Sequence, residues 1–106
     1  MSKIYLSNLG KADFAKVNNV ALSVLPTILA RWLPGGVKQG CEWIALNPTR
    51  SDKSKGSFKV NIQTGKWADF ATGDKGSDVV SLAAYLTNST QLEALHNLAQ
   101  MLGVEL

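Results

Sequence analysis

Apolar residues recur every three to four positions in the first third of the chain, a spacing that predicts two helices. Asp13 is placed to cap a first helix that runs to about Ser23. Pro26 suits the first position of a second helix, because a proline there lacks only a backbone N–H that would have no helical partner. The run Pro34-Gly35-Gly36 ends that helix.

The last third returns to the same helical spacing. Ser77 or Asp78 is placed to cap one helix, and the run Thr90-Gln91-Leu92-Glu93 is a capping box that opens another. Gly103 follows the last apolar position and suits a helix end. The chain therefore ends, as it begins, in a predicted pair of helices.

Between the helix pairs the period changes to two. Phe58, Val60 and Ile62 alternate with polar Lys59 and Asn61, which predicts a strand with one apolar face. Residues 42–46 read as a strand before it, and a turn at Thr64-Gly65 returns the chain as a partner strand over 66–70. The order α-α-β-β-β-α-α predicts an α+β domain with a three-stranded antiparallel sheet flanked by helix pairs.

Composition fits one domain that can bury a core, since the chain has 106 residues of which 45% are hydrophobic. Eleven Lys and Arg against eight Asp and Glu give a net charge of +3, which permits a polyanionic partner without demanding one. One cysteine and one histidine allow no internal disulfide and fall short of the four ligands of a structural zinc site. With neither a signal peptide nor a membrane-spanning run in the sequence, we expect a cytoplasmic protein without a membrane partner.

Residues 47–82 carry the most informative pattern, NPTRSDKSKGSFKVNIQTGKWADFATGDKGSDVVSL. This stretch resembles the zinc-ribbon domain at the N-terminus of bacterial replicative primases and of phage- and plasmid-type primase-helicases. In that family a Cys-Pro knuckle precedes a Ser-Phe strand, a hairpin and an aromatic-x-Cys-x-x-Cys-Gly knuckle. Here residues 47–50 fill the first knuckle and 67–73 the second, and 76–78 open the following helix. The resemblance implies a single primase zinc-ribbon-like domain over 13–106, with 1–12 as a peripheral segment.

The departure from the family is complete at the metal. The four ligand positions hold Asn47, Arg50, Asp69 and Thr72. An arginine carries a permanent positive charge and cannot ligate zinc, so the resemblance implies the fold and a nucleic-acid context without metal or other cofactor. Something else must then hold 47–50 against 69–72. Because a guanidinium matches a carboxylate, we predict an Arg50–Asp69 pair between the two knuckles.

Basic residues cluster around the predicted sheet and suggest a face that contacts phosphates: Lys53, Lys55, Lys59, Lys66 and Lys75. From charge alone, the solvated polar face of a half-buried sheet explains them as well. Of the nearby aromatic residues, Phe58 and Phe70 are expected in the core. Trp67 is expected to be the more exposed and to stack on a base.

Other candidate residues favour structural roles. The loop GDKGSD at 73–78 lacks a Walker ending and reads as a capped turn rather than an anion site. Cys41 reads as a small core residue and His96 as a surface or boundary residue. Asp69, Asp74 and Asp78 are weak support for a magnesium site. With no catalytic set, we expect a protein that is not an enzyme.

Two functions remain open. The first is a non-catalytic module that binds single-stranded DNA in mobile-element replication or priming, alongside a primase catalytic domain or a helicase. The second is a protein-interaction module, such as a replication regulator or an inhibitor of a host system. Salt-dependent binding of single-stranded DNA would favour the first, and an exposed apolar patch the second.

Overall fold

The computed structural model describes residues 9–106, which form four helices and five strands. The helices are α1 (Lys11–Ser23), α2 (Leu25–Trp32), α3 (Val79–Thr87) and α4 (Gln91–Leu102), and the strands are β1 (Val37–Gln39), β2 (Glu42–Ala45), β3 (Phe58–Asn61), β4 (Trp67–Asp69) and β5 (Lys75–Gly76). The peripheral segment predicted over 1–12 lies outside the described residues up to residue 8. Within its remaining part, Leu9 packs against the core, residues 10–12 are exposed, and α1 begins at Lys11.

The structure shifts two of the four predicted helix starts and decides between two candidate capping residues at a third. Gly10, not Asp13, is the N-cap of α1, and the Asp13 carboxylate accepts the Gly10 N–H at 2.9 Å from the third helical position. Pro26 is the second residue of α2 rather than the first. Asp78 caps α3 by accepting the Ser81 N–H at 2.8 Å. The capping box at the start of α4 is confirmed.

The sheet is a five-stranded antiparallel meander in the order β1-β2-β3-β4-β5, so the predicted number of three strands is wrong. The two extra strands are the edges, β1 and β5, with three and two residues. Strands this short carry too few residues to show alternation, and their pairing depends on the neighbouring strand. The predicted central hairpin is present, with a turn in which Gly65, at φ +81°, donates its N–H to the Asn61 carbonyl. In its register, which the sequence did not predict, Val60 lies opposite Trp67.

One face of the sheet packs on the helices and forms the core with them. Phe58 and Val60 are fully buried there and Ile62 is partly buried against them, which confirms the predicted apolar face of β3. The buried residues of the helices complete this core: Val17, Ala21, Leu25, Ile28, Leu29, Val79, Val80, Leu82, Leu95 and Leu98.

Three predictions of burial are wrong. Trp67 is only 6% exposed, whereas Phe70 is 73% exposed. Trp67 pairs with Val60 on the helix-facing side, and Phe70, three positions further on, falls on the opposite side. Cys41 is exposed because it lies in the tight turn between β1 and β2.

Candidate nucleic-acid interface

The two knuckle segments meet, as the sequence predicted. Arg50 Nε donates to Asp69 Oδ2 at 2.7 Å, and Arg50 Nη2 donates to Asp69 Oδ1 at 3.3 Å. Asn47 Nδ2 donates to the same carboxylate at 2.8 Å. Three of the four positions that the resemblance aligns with metal ligands therefore share one polar site, in which Asn47 and Asp69 are buried and Arg50 is partly exposed, and the predicted Arg50–Asp69 pair is confirmed.

Asp69 is the centre of this polar network. Its side chain has no exposed surface, and its two oxygens accept four hydrogen bonds, the fourth from the Ala71 N–H at 2.9 Å. The hydrogen bond from Arg50, helped by those from Asn47 and Ala71, holds the pKa of Asp69 well below its usual range, although burial acts the other way. The same hydrogen bond raises the pKa of Arg50. Both groups are therefore charged at neutral pH.

Tyr85 joins the network to α3 and was not foreseen from the sequence. Its hydroxyl accepts from Asn47 Nδ2 at 2.8 Å and donates to Asp74 Oδ2 at 2.8 Å. The available signal was a tyrosine among the apolar residues of a core-facing helix, since a half-buried tyrosine hydroxyl usually has a partner. Asn47, the partner that donates to this hydroxyl, lies 38 residues away in sequence, beyond the reach of any local pattern.

Thr72, the fourth position that the resemblance aligns with a metal ligand, stands apart from the network. Its hydroxyl accepts the Asp74 N–H at 3.2 Å, and only its backbone N–H reaches the carbonyl of Asp69. Residues 9–106 contain no group of three or more His, Cys, Asp and Glu side chains that could hold a metal ion. The magnesium site considered for Asp69, Asp74 and Asp78 has a further obstacle, because Arg50 and the Ala71 N–H already bond the Asp69 carboxylate.

The side of the sheet that faces away from the helices carries the aromatic and basic candidates. One row of paired residues crosses all five strands on this side: Val37, Ile44, Lys59, Ala68 and Lys75. We call this row, together with Lys66 and with Phe70 just after β4, the outer face. Ile44 is buried on it without joining the main core, so the outer face has a small apolar centre of its own.

Phe70 is the most exposed large apolar side chain of the outer face. Lys59 Nζ lies 5.8 Å from the centre of its ring, within the range of a cation–π contact. Phe70, Lys59 and Lys66 border a shallow groove of about 190 Å³, together with Glu42, Asn61, Trp67 and Ala68. Glu42 is the one acidic residue of the groove, and its carboxylate lies 4.0 Å from Lys59 Nζ.

The structure separates the six residues predicted to bind nucleic acid into three groups. Lys59 and Lys66 lie together in the groove, and Lys75 lies on the adjoining edge strand, paired with Ala68. Lys53 and Lys55 are exposed on the loop between β2 and β3 and do not border the groove. Trp67 faces the core, where its Nε1 donates to Ser81 Oγ at 2.9 Å, so it is not available to stack on a base.

No protein-family model matches this chain, and a search among curated proteins gives no match. Within residues 9–106, no helix is long and apolar enough to cross a membrane. The function is therefore inferred from the chemistry of the outer face.

Proposed function

We propose that the protein binds single-stranded DNA on the outer face of its sheet, as a non-catalytic module. Phe70 stacks on a base, while Lys59, Lys66 and Lys75 contact the phosphates around it. The observation that carries the proposal is the exposed Phe70 ring with Lys59 5.8 Å from its centre. An aromatic platform among cations is how many proteins hold single strands, because every base offers a stacking face and every linkage a negative charge.

The exposure of Phe70 needs a reason, and folding stability does not supply one. A phenylalanine that is 73% exposed gains little from burial and leaves apolar surface in water. Exposed apolar surface rimmed by polar groups is typical of interaction sites. A base stacked on the ring would remove that surface from water.

The charges around Phe70 also favour an anionic partner. The row across the five strands includes Lys59 and Lys75 and no acidic residue. Glu42 beside Lys59 opposes this balance in part, but Lys66 adds a further cation to the groove. The overall charge of +3 has the same sign. Lys53 and Lys55, which do not border the groove, contact phosphates further along the DNA strand.

The resemblance of residues 47–82 to primase zinc ribbons supports the biological setting of this proposal. In that setting the module works in mobile-element DNA replication or priming, in the cytoplasm, and presents the template strand to a primase catalytic domain or a helicase. The protein takes no metal, because the Arg50–Asp69 pair replaces the ion between the knuckles.

Fluorescence anisotropy with a labelled oligothymidylate tests the proposal. Base–aromatic stacking contributes roughly 1–3 kcal/mol per base, so Phe70→Ala should weaken binding by about tenfold. Lys59→Gln and Lys66→Gln should each weaken binding and reduce the slope of log K against log salt by about 0.7, the value for one phosphate contact to a single strand.

Two control variants lie on helices on the other side of the sheet. Met101→Ala removes an exposed apolar side chain from α4, and Lys11→Gln removes an exposed cation from α1. Both should bind like the unaltered protein. The proposal is wrong if Phe70→Ala binds as tightly as Met101→Ala, or if the unaltered protein shows no salt-dependent binding.

The second candidate function, protein interaction, is favoured by a separate observation. An apolar groove of about 430 Å³ lies between α2, α3 and α4 and is bordered by Trp32, Leu86, Leu98 and Met101. Grooves between helices are places where amphipathic partner helices bind. The same anisotropy experiment separates the two functions, since an absence of DNA binding at low salt would leave this groove as the better supported site.

A further inference from the structure

A second concave site lies around the β5 edge of the sheet. It is an open cleft of about 670 Å³ between β5, α3 and the turn that joins α3 to α4. Small-ligand sites commonly have volumes of about 300–1,000 Å³. The residues that border the cleft include Lys75, Asn88 and Gln91, as well as Thr49 and Ser81.

The polar groups of the cleft divide into occupied and free ones. The Ser81 hydroxyl is used by Trp67 and by the Asp78 carbonyl, and the Thr49 hydroxyl donates to Asn47 Oδ1. Among the residues that the structure describes, the side chains of Lys75, Asn88 and Gln91 make no hydrogen bond or ion pair, so one ammonium and two carboxamides are available there.

The residues that border the cleft include no carboxylate, which leaves Lys75 as its one charge. Asp74, which precedes Lys75 in the chain, accepts a hydrogen bond of 2.8 Å from the hydroxyl of Tyr85, a residue that also borders the cleft. An ammonium suits a phosphate. A carboxamide presents a donor and an acceptor side by side, as the edge of a nucleobase does, and pairs with adenine through two hydrogen bonds.

We infer that this cleft binds one nucleotide, with the phosphate at Lys75 and the base edge at Asn88 and Gln91. The inference extends the proposed function and rests on it in one respect: the DNA strand must pass over the outer face of the sheet before it reaches the cleft. Lys75 belongs to the edge strand, where it pairs with Ala68 of the Phe70 groove, and at this edge Lys75 also borders the cleft. A single DNA strand that runs from the Phe70 groove across β5 therefore reaches the cleft.

The test is a titration of the ¹⁵N-labelled protein with deoxyadenosine monophosphate, followed by amide NMR shifts. Shifts are expected at Lys75 and over residues 85–91, and inorganic phosphate at the same concentration should reproduce only the part near Lys75. Gln91→Ala should weaken binding by at least about fivefold, since a good bidentate contact to a base is worth roughly 1–3 kcal/mol. Asn88→Gly should have a similar effect without disturbing the fold, because Asn88 has φ 52°, a conformation that glycine adopts freely.

Gln100→Ala is the matched control, since it removes an exposed carboxamide from the same helix and lies outside the cleft. The inference is overturned if deoxyadenosine monophosphate shifts no cleft residue, or if Gln100→Ala weakens binding as much as Gln91→Ala. Failure of the two inferences can be told apart. If oligonucleotide binding is weakened by Phe70→Ala but unchanged by Asn88→Gly and Gln91→Ala, the inference about the cleft is wrong and the proposed function stands. If deoxyadenosine monophosphate binds in the cleft but oligonucleotides do not bind, the proposed function is wrong and the cleft site stands.

Discussion

Arg50 and Asp69 lie 19 residues apart in sequence and are joined by two hydrogen bonds, of 2.7 Å and 3.3 Å. Arg50 also donates to Ser57 Oγ at 2.9 Å, at the residue before β3. The pair thus ties the loop before β3 to the end of β4. The carboxylate is fully buried while the Arg50 side chain is 29% exposed, so one edge of the site meets solvent.

Asp69→Ala should lower the free energy of unfolding by about 2–3 kcal/mol, because the change leaves the Asn47 amide and the Ala71 N–H without their buried acceptor. Arg50→Ala should also destabilise the fold, since it leaves the buried carboxylate without its cation. A double-mutant cycle measured by urea unfolding should show coupling between the two changes.

The exposed pair Lys59–Glu42, at 4.0 Å, provides the comparison for that cycle. Its coupling should be small, because both side chains are about a third exposed or more and water screens them. Equal coupling in the two cycles would mean that the Arg50–Asp69 pair behaves as an ordinary surface ion pair.

Stability should fall in acid because of Asp69. A carboxyl whose pKa is lower in the folded protein than in the unfolded chain stabilises the fold above the unfolded value, near 3.9, and this contribution is lost as pH falls through the folded value. Glu93, whose pKa is lowered by its hydrogen bonds with Thr90, acts in the same direction. Unfolding in urea between pH 7 and pH 2 should therefore show a decline that begins as the pH approaches 4.

Asp69→Asn isolates the contribution of this one carboxyl, since the amide does not titrate. The variant should be less stable at pH 7 and should lose less stability on acidification than the unaltered protein. Parallel stability curves for the two proteins would contradict the assignment of the acid sensitivity to Asp69.

Gly76→Ala should destabilise the fold through Trp67. A Cβ at Gly76 would lie 2.4 Å from Trp67 Nε1 and 2.5 Å from Ser81 Oγ, which are the two atoms joined by the hydrogen bond of the buried indole. Overpacking of this kind typically costs about 1–3 kcal/mol. Ser77→Ala, a change at the exposed neighbouring position, is the control and should stay within about 0.5 kcal/mol in the same urea experiment.

Zinc should be absent from the purified protein, and a chelator should leave Tm unchanged. The physical reason is the Arg50 guanidinium, a permanent cation that occupies the Asp69 carboxylate. Elemental analysis and thermal unfolding with and without chelator provide the measurement. Zinc in a ratio near one per chain, or a Tm lowered by chelator, would contradict this prediction.

The elements with clear periodicity could be predicted from the sequence. Phe58 and Val60 alternate with Lys59 and Asn61, so the buried face of β3 followed from local pattern alone. The capping box at Thr90 and Glu93 marked the start of α4 for the same reason, because both of its hydrogen bonds join residues three apart. The Arg50–Asp69 pair was also predictable, since the resemblance to primase zinc ribbons aligned these two opposite charges with neighbouring metal-ligand positions.

Other features needed the tertiary structure. The edge strands β1 and β5 are too short for a periodic signal and form because β2 and β4 offer unpaired backbone groups. Tyr85 joins the network from a helix far along the chain, which no local pattern encodes.

The exchange of roles between Trp67 and Phe70 shows the physical reason most clearly. Both are aromatic residues at one end of a hairpin, and the sequence alone determined that they would fall on opposite sides of the sheet. Trp67 faces the helices because it pairs with Val60 on the apolar face of β3, and on that side Gly76 and the Ser81 hydroxyl of α3 lie against the indole. The register of the assembled hairpin and the packing of α3 against it therefore decided that Trp67 is buried and that Phe70 is presented to solvent, since a buried indole needs a hydrogen-bond acceptor that here comes from a helix far along the chain.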